Sequence, residues 1–126
     1  MKPFCEVIVT SILPAIRSIL TRELMDDYRL TQKETADLLG LTQPAISQYQ
    51  KECRGAKVKL LDKQPQIMKM IDELAKDVST GKIRPKQLQL KFCGICRTIR
   101  ENKIICKLHQ DICPSIAPCY ECPKEC

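Results

Sequence analysis

Residues 30–55 read LTQKETADLLGLTQPAISQYQKECRG. The Thr31 hydroxyl can accept the amide of the residue three places on. That residue is Glu34, so the pair has the form of a capping box and predicts a helix from Gln32. The helix is short and ends after Leu39, because Gly40 reaches the left-handed conformation of a helix stop without a Cβ clash. Thr42 caps a second helix, with Pro44 in its first turn, where no backbone N–H is needed. Ala36 is small, so the second helix can cross close to the first. Leu38, Leu39, Leu41, Ile46 and Tyr49 point inward. Gln43, Ala45, Ser47, Gln48 and Lys51 are left outside, a polar face read here as free of carboxylates. Such a face suits base edges and the phosphates beside them.

Working outward, residues 12–28 form an amphipathic helix. Leu13, Ile16, Leu20, Leu24 and Tyr28 recur at helical steps, and Pro14 sits in the first turn. Residues 56–65 read as a basic, irregular connector. Residues 66–78 are helical again, with Ile67, Ile71, Leu74 and Val78 in a short heptad-like seam. That seam serves either a helix packed on its own domain or a dimer helix. Ser79, Thr80 and Gly81 end it. Pro85 opens another helix with Leu88, Phe92, Ile95 and Ile99 in one stripe, weakened by Gly94. From Asn102 onward the text is irregular, broken by Pro114, Pro118 and Pro123. The fold class is all-α. The divisions fall at 1–62, 63–91 (a helical linker and dimer element) and 92–126 (a small, irregular, cysteine-rich segment).

The chain has 126 residues and a net charge of +6. Eight Lys or Arg residues lie between Lys82 and Lys107 against one acid, Glu101. That balance suits a nucleic-acid partner as well as a plain solvated face. The longest early apolar run is about ten residues, half of what a membrane span needs, and no signal-peptide shape precedes it. The expected location is the cytoplasm, where thiols stay reduced.

Seven of the nine cysteines fall after residue 92, spaced C-x2-C-x9-C-x6-C-x5-C-x2-C-x3-C. In a reducing compartment such a cluster points to metal before disulfides. Cys93, Cys96, Cys119 and Cys122 make a zinc-ribbon-like set, because two thiolates three residues apart can reach one ion. Zinc needs only four ligands. The surplus, including Cys106, and the Cys122-Pro123 pair favour an iron–sulfur cluster, [4Fe-4S] or [2Fe-2S], with zinc as the alternative. Lys91, Arg97, Arg100, Lys103 and Lys107 would offset part of its negative charge. His109, in C-x2-H, is a candidate ligand or a surface group; Cys5 and Cys53 read as small apolar residues. No nucleophile–base set or phosphate loop is present, so no catalysis is expected.

Residues 30–55 resemble the helix-turn-helix of the phage-repressor (XRE) class. The matching positions are Gln32 opening the first helix, Ala36 at the crossing, Gly40 and Leu41 in the turn, and Ile46 buried in the recognition helix. Residues 5–50 are also similar to a group of archaeal regulators in which this module precedes a cysteine-rich tail with C-x2-C, C-x2-H and a final C-x2-C. Cys93/Cys96, Cys106/His109 and Cys119/Cys122 match those; Cys113 and Cys126 do not. The resemblance implies that Gln43, Ser47 and Gln48 reach bases. It places Thr42, Lys51 and Arg54 near phosphates, with Gln32 donating to a phosphate from its helix start.

The expected protein is therefore a DNA-binding transcriptional regulator. It would act as a homodimer on a palindromic operator in double-stranded DNA, with a cluster-binding tail that senses redox or cluster status through the 67–78 seam. The alternatives are a DNA-binding protein with a purely structural zinc site and a protein-interaction adaptor.

Overall fold

The computed structural model describes residues 4–53, 55–104 and 106. These form α1 (Phe4–Val7), a π-helical stretch (Ile8–Ile12), α2 (Leu13–Asp26), α3 (Gln32–Leu39), α4 (Gln43–Glu52), α5 (Ala56–Asp62), α6 (Pro65–Ser79) and α7 (Pro85–Glu101). The described residues are all helical outside their turns. No helix among them is long and apolar enough to cross a membrane.

The other helices assemble around α2, which packs against α3, α4, α5 and α6. Ile16, Ile19, Leu20 and Leu24 of α2 have no exposed surface. Pro14 sits in the first turn of α2, as expected, but helical residues also run ahead of it from Phe4. Proline has no N–H, and its ring crowds the carbonyl four residues back. The chain meets this with a wider turn, in which the Leu13 amide donates to the Ile8 carbonyl, five residues back. At the other end Tyr28 lies beyond the helix and is 40% exposed. Arg29 takes a φ of 54°, and the Leu30 amide closes back on the Leu24 carbonyl at 3.1 Å. Asp26 and Asp27 at a helix C-terminus oppose further extension.

The basic connector expected over 56–65 is instead mostly helix. Val58 and Leu61 of α5 are buried against a body formed by α2 and α6. Lys57, Lys59 and Lys63 masked that one-turn apolar pair in the sequence.

The seam of α6 faces its own chain. Ile67, Ile71 and Val78 have no exposed surface and Leu74 is 4% exposed. The neighbours that cover α6 are chiefly α2, α7 and α5, with α3 beside them. Of the two roles open to the seam, packing within the domain is the one realised, and it is not available as a dimer contact.

The stripe expected on α7 also forms. Leu88, Ile95 and Ile99 are buried and Phe92 is half-buried against the same core. The division drawn at residue 92 falls inside this helix. A Cβ at Gly94 would meet nothing within 4 Å. Gly94→Ala therefore raises stability by about 0.5–1 kcal/mol, read by thermal or urea unfolding.

Glu23 is a buried acid on α2. Burial, then a hydrogen bond with Asp72 of α6 and the charge of that group, push its pKa up to about 8. The folded chain keeps this proton up to that pH, whereas the unfolded chain releases it near its ordinary value of 4.5. The unfolded state thus binds fewer protons in between, and stability falls as pH rises from the mid-fours towards 8. Glu23→Gln should flatten that part of the stability–pH profile and stabilise the protein at its alkaline end. An unchanged slope in urea unfolding would assign it to other groups.

Candidate nucleic-acid interface

The two short helices form where their caps predict. Thr31 Oγ1 accepts the Glu34 amide at 3.1 Å, and Thr42 Oγ1 accepts the Ala45 amide at 3.3 Å. Gly40 takes a φ of 67°, and the Leu41 amide turns back to the Ala36 carbonyl at 2.9 Å. Leu39 and Ile46 are buried; Leu38, Leu41 and Tyr49 are half-buried. Tyr49 is set against α2, its hydroxyl accepting from Arg17 Nη1 at 3.5 Å.

Thr42, Gln43, Gln48 and Lys51 are exposed, and Ser47 is half-exposed. Gln48 and Lys51 lie on the side of α4 away from Ile46, Ser47 and Gln43 lie on its flank, and Thr42 caps the helix ahead of it. Gln32, at the start of α3, is half-buried and bridges the two helices. Its Nε2 donates to Gln50 Oε1 at 2.7 Å, while its Oε1 accepts from Gln43 Nε2 at 3.3 Å. The expected phosphate donor is thus also a positioning residue, which holds Gln43 at the first turn of α4. Gln50 was not singled out in the sequence; it sits on the flank of the apolar side, where spacing alone does not mark a polar partner. Arg54 lies outside the described residues.

The exposed face is not free of carboxylates. Gln48 Nε2 donates to Glu52 Oε1 at 3.1 Å, one helical turn on. This pairing steadies the Gln48 amide and places a negative charge at the end of the face furthest from Thr42.

Cys93 and Cys96 belong to the ordered helix α7, one turn apart on the flank of its buried stripe. Cys93 is exposed, while Cys96 and Cys106 are partly buried. Two thiols so placed can contribute two ligands to one ion or cluster. Among the described residues no three His, Cys, Asp or Glu side chains gather into a metal site. Cys119, Cys122, Cys113, Cys126 and His109 lie outside the described residues. Of the cations expected to offset a cluster's charge, Lys91, Arg97 and Lys103 are exposed. Arg100 is only 3% exposed, one turn beyond Cys96 on the thiol side. Lys107 is outside the described residues.

The start of α7 reaches the turn between α3 and α4. A Cβ on Gly40 would lie 3.4 Å from Pro85 Cβ. A shallow cleft there is lined by Arg17, Leu41, Leu88, Gln89 and Phe92 beside those two residues. One rigid helix therefore has its first turn on the α3–α4 turn and carries Cys93 and Cys96 further along.

No family model matches the chain, and neither the curated proteins nor the solved structures contain a match to it.

Proposed function

We propose that this chain is a helix-turn-helix transcriptional regulator of the phage-repressor class. It acts as a homodimer on a palindromic operator in double-stranded DNA, with α4 as recognition helix. The observation that supports this best is the exposed row Gln43, Ser47, Gln48 and Lys51 on a capped helix, oriented against α3 through Gln32. Gln43, Ser47 and Gln48 present amide and hydroxyl groups to base edges, while Thr42, Lys51 and Arg54 meet phosphates. One such helix reads only a few base pairs, so a two-fold pair is needed for a specific site.

The test is selection of duplexes from a random-sequence pool. Enrichment of a two-fold-symmetric sequence is the expected result. Recovery of the input pool, with no salt-dependent DNA binding, would refute the reading.

In the same proposal, Cys93, Cys96, Cys106, Cys119 and Cys122 supply the ligands of an iron–sulfur cluster. Such a group, when bound, would give the regulator a redox- and iron-sensitive state. Because the 67–78 seam is buried, coupling runs instead along α7, from the cysteines to the turn that leads into α4. Anaerobic purification followed by iron, sulfide and zinc analysis should give iron with sulfide and broad visible absorbance. One zinc per chain without iron assigns a structural role to the tail. Complete disulfide pairing in protein kept from air removes both metals.

A further inference from the structure

The cations at the start of α7 are not accounted for by the recognition helix. Lys82, Arg84 and Lys86 lie within three residues of Pro85 and are all exposed. The one side-chain ion pair among the described residues is Arg22 with Asp62, at 3.2 Å, so none of the three has a carboxylate partner. The Arg84 backbone is held by its own first turn, its amide donating to Gln87 Oε1 at 3.0 Å.

Their position gives them a use. Pro85 rests on Gly40, and Gln43, the first residue of α4, is three residues further along. That is at most ~11 Å of extended chain. Recognition helices enter the major groove with their N-terminal residues at the base edges. Duplex DNA beside such a helix presents one phosphate charge per ~1.7 Å of axis. Long, exposed Lys and Arg side chains beside the entry point of α4 would therefore stand near a stretch of phosphate backbone at the opposite end of α4 from Lys51.

We infer that Lys82, Arg84 and Lys86 form a second, sequence-independent clamp on the DNA backbone, flanking the N-terminal end of the recognition helix. The clamp is built on α7, outside the two-helix motif. It rests on the DNA-binding reading and extends the contact beyond α4. Clamp contacts carry no base preference, so they add affinity and salt dependence equally on every sequence.

The test uses full-length protein and a fluorescently labelled duplex of mixed sequence, titrated over a series of potassium chloride concentrations. The variants are Arg84→Ala/Lys86→Ala, Arg84→Lys, Lys86→Gln and Lys51→Ala. Losing two phosphate contacts makes the slope of log K against log salt shallower by about two and weakens binding about ten-fold or more at low salt. Lys86→Gln alone gives about half that change in slope, and because it alters one exposed side chain it guards against misfolding of the double variant. Arg84→Lys keeps the charge and should keep the slope. A slope unchanged in both Arg84→Ala/Lys86→Ala and Lys86→Gln, with Lys51→Ala shallower, would overturn the clamp and leave the recognition helix standing. Slopes unchanged in all of them, Lys51→Ala included, would remove the DNA-binding reading itself.

Discussion

Ile71→Ala is expected to lower the free energy of unfolding by about 2–5 kcal/mol, with the same loss at low and high protein concentration. Ile71 has no exposed surface, and neither do Ile67 and Val78 on the same face of α6. Ile71 belongs to α6, which packs against α2, α3, α5 and α7 of the same chain, so truncation opens a void that a packed interior fills only partly. A side chain at a dimer seam would behave differently, because dissociation would then be linked to unfolding and the midpoint would move with concentration. Urea unfolding at two well-separated concentrations distinguishes the two. Leu90→Ala is the control: Leu90 is 69% exposed on α7, and surface truncation stays within about 0.5 kcal/mol. A concentration-dependent midpoint for Ile71→Ala would return the seam to an interface between chains.

Gln48→Ala should reduce affinity for the selected operator by about 1–3 kcal/mol and relax preference at one base position. Lys51→Ala should instead weaken binding to every sequence, with a salt slope shallower by about 0.9. The contrast follows from chemistry. The Gln48 amide offers a donor and an acceptor that can match one base edge, and its bond to Glu52 limits the directions it can take. Lys51 is a point charge on a flexible stem, indifferent to base identity. Anisotropy titrations on the operator, on single-base variants of it and on a scrambled duplex separate the two effects. Unchanged operator binding in both variants would mean that α4 is not the reading helix.

A third comparison bears on sensing. Cluster-loaded protein, apo protein and Cys119→Ala should differ in operator affinity at one salt concentration, since a sensor requires its two states to bind DNA unequally. Equal affinities would leave the cluster, where analysis finds one, a structural role only.

Much of this fold was legible from local chemistry. Thr31, Gly40 and Thr42 act on amides within a few residues of themselves, so α3, the turn and α4 needed no distant partner to be placed. The period of Leu88, Phe92, Ile95 and Ile99 likewise marked α7, and the spacing of Gln43, Ser47, Gln48 and Lys51 put them on one face. Other features depended on what lies across space. Val58 and Leu61 are one turn of apolar surface among lysines, and only the presence of α2 and α6 makes that turn a helix. The seam of α6 has the same sequence whether it meets its own chain or a second copy; the tertiary structure closes it against α2, α5 and α7. Gln32 is eleven residues from Gln43 and eighteen from Gln50, and the acid Glu23 meets Asp72 from another helix. Such pairs carry no local signature, because hydrogen bonding and desolvation act through space between elements whose approach is set by packing. For the same reason the contact of Pro85 with Gly40, which brings the cysteine-bearing helix to the turn between α3 and α4, could only be learned from the folded chain.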